Sequence, residues 1–389
     1  MSQQKQSTDL DKRIEIIFKR PTEELLSPWE ISNFINQFSS NYYKNELLIS
    51  ISKAINSGTP VENIFILDDS FKINTSYSKL DVIDLNKASE ILYLYHMGKP
   101  VSLFPNRKIY SINIIFNVFR TFNEIIYKLI HKRIAKKQLH NFINSPNDKS
   151  MLNILSDLKD LAYNLLSKSN LREKNNEIEK AYGAAVNRIN KFDDEQIDID
   201  LMQDSFFEKD YALLKNEKYK NLESKYFSSF FREFNNNSRP VVGIYYPETN
   251  KIQILCVNHI NKTKRDSRFL DLKQFSHNSP YEVIILVGTG IILPLMKEIK
   301  YHLDERKLTK QKKEVVSTGI ALDNHLNEIY SELETILLDT NSSDFDNIEL
   351  DYLKTKIVET KNNNDNKINE PIRKYGFSLS SVVTKTKSS

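Results

Sequence analysis

The longest apolar passage of the chain, residues 283–296, lies between Glu282 and Lys297 and limits the available folds more than any other stretch. A helix that crosses a bilayer needs roughly 20 apolar residues. Here there are 14, with Thr289 among them, Pro294 near one end, and Gly288 and Gly290 in the middle. The run is also too long for one ordinary strand. Gly288-Thr-Gly290 divides it, so the expectation is a buried strand over 281–287, a tight turn, and a helix over 291–299 that packs back on the same sheet. Asn278-Ser-Pro280 sets the entry of the chain. The competing expectation is a surface lying on or partly in a membrane, with Lys297, Lys300, Lys307, Lys310, Lys312 and Lys313 near anionic headgroups. In the first case Val283, Ile284, Leu286, Ile291, Leu293 and Leu295 are core; in the second they meet lipid.

Composition narrows the function classes. Hydrophobic residues make up 40% of 389 and aromatic residues 11%, too much apolar material for general disorder. The 55 Lys and Arg against 51 Asp and Glu leave only +4, so any polyanion site must be local. With eight glycines, neither the Walker spacing nor GxGxxG occurs. One cysteine, Cys256, excludes an internal disulfide and any multi-cysteine zinc module, and its apolar neighbours mark it as a small buried hydrophobe. The polar N-terminus lacks the apolar core of a secretory signal, so the expected location is the cytoplasm, with peripheral membrane association as the alternative.

Along the chain, the alternation of residues 13–19 reads as a strand. Ser27-Pro-Trp-Glu30 carries a capping Ser, a Pro at the first helical position and a Glu three residues after the cap, which starts a helix. Its stripe is interrupted at Ser39-Ser-Asn41 and resumes to Gly58. Residues 63–67 read as a strand, 84–97 as a helix closed by Gly98, and 105–143 as one long amphipathic helix. Helix continues over 149–189 with a polar waist at 169–176. Beyond Asp193 residues 197–201 alternate like a strand, 210–234 form an aromatic-striped helix covering a sheet, and two runs around Pro247-Glu-Thr-Asn250 form a β-hairpin. The expected class is α+β: an α-rich N-terminal domain with a small sheet over 1–192, an α+β domain with the hairpin and covering helices over 193–340, and a polar, largely disordered tail over 341–389.

A strand, Asn278-Ser-Pro280, an apolar run and a charged helix, spanning residues 239–340, resemble the C-terminal module of uncharacterised bacterial proteins associated with phage defence. The resemblance carries no functional residue across; it implies only a role in defence.

One segment could carry chemistry. On a continuous helix, Arg133, Lys136, Lys137 and His140 share one face and make a compact cationic patch. The patch suits phosphate. Its Arg and His, with six residues between them, resemble the pair of HEPN-type ribonucleases, which implies a proton-handling His140 and a phosphate-holding Arg133. Ile134 stands where that family commonly has a polar residue. The plainer reading is a solvated basic face opposite Ile126, Leu129, Ile130 and Ile134. Lys264, Arg265 and Arg268 lie in a second basic segment that could grip phosphates or simply face water. Asp198, Asp200 and Asp204 are too few for an oxygen-ligand metal site. His96, His259, His277, His302 and His325 show no zinc pairing, and GxSxG is absent.

The sequence thus predicts a non-catalytic bacterial interaction or regulatory protein without cofactor or metal. Its expected partners are an unidentified protein, nucleic acid at a local basic patch, a membrane surface, or further copies of the chain. A HEPN-like ribonuclease effector and a membrane-associating effector acting through 283–296 are the alternatives.

Overall fold

The computed structural model describes residues 13–20, 25–72, 75, 80–145, 150–167, 175–207, 217–255, 270–276, 281–287 and 348–385. In chain order the elements are β1 (Arg13–Arg20), α1 (Pro28–Asn56), β2 (Ile64–Leu67), β3 (Val82–Asp84), α2 (Ala88–Met97), β4 (Pro100–Ser102), α3 (Arg107–Ile130) and α4 (Gln138–Ile143). They continue with α5 (Met151–Ser167), α6 (Asn175–Phe207), α7 (Glu217–Asn236), β5 (Val241–Tyr246), β6 (Lys251–Ile254), β7 (Asp271–Ser276), β8 (Tyr281–Val287), α8 (Ile348–Lys374) and β9 (Ser378–Lys385). The protein is α+β, with two antiparallel sheets among the described residues.

The units are not consecutive along the chain: one comprises residues 1–59 with 256–389, the other 60–255. This division replaces the expected boundaries at 192 and 340. Its cause is strand pairing over long sequence distances, because β1 lies between β8 and β9 in a sheet ordered β7-β8-β1-β9. Ile16 faces Ile285 and Phe18 faces Val283 across β1 and β8. These four side chains form a core with Phe34, Phe38 and Tyr42 of α1 and with Ile368, Ile372 and Phe377 at the end of the chain. Phe34 anchors it, with ring centroids 4.7 Å from Phe377 and 6.1 Å from Phe38. On the other face of the same strands, Lys19 pairs with Glu282 at 3.3 Å and Lys273 with Glu15 at 2.6 Å.

The strand expected over 281–287 is β8, and Val283, Ile284 and Ile285 are all buried in it. Ile291, Leu293 and Leu295 lie outside the described residues, as do Cys256 and the basic segment with Lys264, Arg265 and Arg268. Among the described residues no helix is long and apolar enough to cross a membrane.

The capping box at Ser27 forms as its residue types require. Ser27 N–H donates to Glu30 Oε2 at 2.7 Å, and Glu30 N–H donates to Ser27 Oγ at 3.3 Å. Ser27→Ala is expected to lower stability by about 1 kcal/mol in a urea melt, the usual size of a lost N-cap. The interruption expected at residues 39–41 does not occur: α1 is continuous, and Ser39 Oγ returns its hydrogen bond to Ile35 O at 2.6 Å.

The polar tail expected over 341–389 is a second correction, because α8 and β9 lie in it. Residues 361–366, Lys-Asn-Asn-Asn-Asp-Asn, have the composition of a solvated segment, yet Lys361, Asn364 and Asp365 are buried. Polar groups can be buried when each finds a partner. Asn45 Nδ2 donates to Asp365 Oδ1 at 2.7 Å, Asn364 Nδ2 to Asn45 Oδ1 at 2.6 Å, and Lys361 Nζ lies 2.9 Å from Asp365 Oδ2. The seam between α1 and α8 is therefore polar at one end and aromatic at the other.

In the second unit the sheet is ordered β3-β6-β5-β2-β4. All four residues of β2 are buried, which requires cover on both faces. The expected hairpin is β5–β6, with Asn250 in the left-handed region at φ 52° closing its turn. Gly243 of β5 sits where a Cβ would stand 2.6 Å from Phe65 Cζ, so only glycine lets the Phe65 ring lie there. The aromatic helix expected over 210–234 is α7, with Phe227, Phe230, Phe231 and Phe234 buried against β2 and β4; residues 208–216 lie outside the description. The strand expected at 197–201 is instead part of α6, where its short alternation is absorbed into a helix of 33 residues.

Candidate functional site

The long helix expected over 105–143 is broken, and the break builds the site. His131 adopts a left-handed conformation, φ 55° and ψ 24°, and its N–H donates to Tyr127 O at 3.0 Å, closing α3. The chain then crosses residues 131–137 with only Ile134 buried. Ile134 N–H donates to Asn123 Oδ1 at 2.6 Å, which pins the connection against α3. Arg133 and Lys136 flank this pin and project from an exposed bend rather than from a helix face.

Lys136 reaches α2, whose last turn presents an exposed His96 before Gly98 ends the helix at φ 143°. Lys136 Nζ lies 3.2 Å from His96 Nε2. From α3, Arg120 donates to Tyr95 O at 2.7 Å and holds its guanidinium 4.9 Å from the Tyr95 ring centroid. Arg133 stacks over Tyr127 at 4.5 Å, and His131 meets the same ring edge-on at 5.4 Å. Tyr127 remains 45% exposed, so the aromatic surface is open to a ligand.

The electrostatics follow from this crowding. Burial, and then Lys136, Arg120 and Lys72, hold the His96 imidazole below its ordinary range, so at neutral pH the ring is uncharged and accepts from the Lys136 ammonium. Burial pushes the Tyr95 phenol up, with Arg120 and Arg133 opposing and Glu124 adding to the rise. Two carboxylates nearby are taken: Asp69 pairs with Lys72 at 2.7 Å and Asp68 with Lys99 at 3.2 Å. Arg120, Arg133 and Lys136 form no ion pair among the described residues. Three cations with aromatic faces between them, none in an ion pair among the described residues and with Glu124 the carboxylate acting on Tyr95, leave a surface with an excess of positive charge that suits an anion.

The structure separates the four residues that the sequence placed together. Arg133 and Lys136 belong to this surface. Lys137 is exposed at the start of α4, and His140 turns away, with Nε2 3.0 Å from Asn86 O. His140 thereby joins the cluster in which Asn250 donates to Asn86 Oδ1 at 2.9 Å and to Asn144 Oδ1 at 3.2 Å. Arg133 and His140 do not share a helix, and the geometry that made them resemble a ribonuclease pair is absent. His96, Tyr95, Arg120 and Tyr127 escaped the sequence reading because they come from α2 and α3, and no spacing rule links two elements. Compared with models of known families, with curated proteins and with solved structures, the chain gives no match. Among the described residues no group of three or more His, Cys, Asp or Glu side chains could hold a metal ion.

Proposed function

We propose that the protein is a non-catalytic bacterial interaction protein of the cytoplasm whose 60–255 unit binds single-stranded nucleic acid. The observation that supports this reading is the convergence of Lys136, Arg120 and Arg133, none in an ion pair among the described residues, around Tyr95 and the exposed Tyr127. Lysine and arginine neutralise backbone phosphates, and a base stacks on an open tyrosine or on the guanidinium covering it. Neither contact reads sequence, so binding is expected to tolerate any base. In phage defence, the role implied by the resemblance of residues 239–340, such a protein would hold foreign strands for a partner that acts on them.

The test is fluorescence anisotropy of labelled oligouridine with the full chain over a range of salt concentrations. The double substitution Lys136→Ala, Arg133→Ala is expected to weaken binding about tenfold or more and to reduce the salt slope by about two, one for each cation removed. Affinity should fall as pH rises, because a bound phosphate favours the protonated His96 that burial and then its neighbouring cations disfavour. His96→Gln should remove that pH dependence. Unchanged affinity in the double variant would sink the proposal. Shortening of the RNA, lost on Arg133→Ala with His140→Ala, would favour the ribonuclease alternative.

A further inference from the structure

A second feature of the 60–255 unit stands apart from the cationic surface. Where α3 begins, α4 ends, α5 begins and α6 passes, a half-open cavity of about 420 Å³ remains. That volume lies within the range of roughly 300–1,000 Å³ common for small-molecule sites. Its floor is apolar: Ile112, Ile115, Ile154 and Ile189 all line it and are all buried. One wall is the flat pair Tyr110 and Phe192, stacked with centroids 3.9 Å apart. The Tyr110 hydroxyl is engaged on Arg188 O at 2.9 Å, which fixes that ring in place.

The rim is charged and unbalanced. Arg107 pairs with Asp193 at 3.2 Å, whereas Lys108 has, among the described residues, a carbonyl, Ile143 O, at 2.6 Å and no carboxylate. Among the described residues, two cations against one carboxylate leave one positive charge at the mouth. Burial pushes the Lys108 ammonium down from its ordinary range, as expected of a cation drawn out of water without a counterion. Ser111, on the same face of α3 as Lys108, adds a hydroxyl to the lining. An apolar floor under a single uncompensated charge defines the complementary molecule.

We infer that this cavity binds a small amphipathic monoanion, a carboxylate with an aliphatic or flat apolar body, its charge beside Lys108 and its body over Ile115 and Ile189. The apolar part would displace water from the floor, and the carboxylate would supply the counterion that Lys108 lacks.

Decanoate is a suitable probe, with decanol as the uncharged control, both titrated calorimetrically into the full chain. Saturable decanoate binding is expected, weakened about tenfold by Lys108→Met, while decanol binding is unaffected by that change. Arg107→Gln, at an exposed position, provides a second charge variant should Lys108→Met fold poorly, and it too should weaken decanoate alone. Ser111→Phe, which fills the mouth, should abolish binding of both molecules. Three results would overturn the inference: no saturable decanoate binding to the wild-type protein, affinity indifferent to both charge variants, or affinity retained in Ser111→Phe.

Discussion

Asp365→Ala is expected to destabilise the protein by about 3–5 kcal/mol, the effect of breaking a buried pair from one side. Asp365 is 1% exposed and accepts from both Lys361 Nζ, at 2.9 Å, and Asn45 Nδ2, at 2.7 Å. Its loss takes the ion-pair partner from the buried Lys361 ammonium and the acceptor from the buried Asn45 amide. The double substitution Lys361→Met, Asp365→Asn removes both charges and keeps an oxygen for Asn45, so most of the loss should be recovered. Urea unfolding followed by far-UV circular dichroism measures both variants, and amide exchange along α1 and α8 localises the effect. Equal stability of Asp365→Ala and wild type would mean that this seam opens to water in solution.

Val283→Lys should be comparably severe, by several kcal/mol, because the new charge would enter a core whose described members are hydrophobic. Val283 is fully buried beside Phe18 on the neighbouring strand, in the core closed by Phe34 and Phe38. The same variant decides the question raised by the apolar run. A buried strand predicts a destabilised protein with or without lipid present. A lipid-facing strand predicts an unchanged melting temperature and reduced flotation with anionic liposomes, and that combination would overturn the core assignment of β8.

Both predictions concern contacts between residues far apart in the chain, and the division between what could and could not be read from the sequence follows the same line. Local signals were legible. Ser27 and Glu30 form their capping box because a helix start is settled within four residues. The β5–β6 hairpin forms around Pro247–Asn250 because turn and strand signals are adjacent. The aromatic stripe of α7 is buried because its period matches a helix.

Contacts between elements were not legible. A polar segment such as 361–366 reads as solvated until a partner helix offers Asn45 and Asn41 to satisfy it. The helix break at His131 depends on Asn123 capturing the Ile134 N–H, so Arg133 and His140 look like neighbours in sequence and diverge in space. His96 and Lys136 meet across 40 residues of chain. By itself the sequence determined the α+β class, most helix and strand positions, and the buried character of Val283, Ile284 and Ile285, because hydrophobic period and capping are short-range properties. Only the tertiary structure decided that β1 joins β8 and β9, that the chain's last helix is core, and which cations share a surface, because each depends on packing between segments that no local pattern connects.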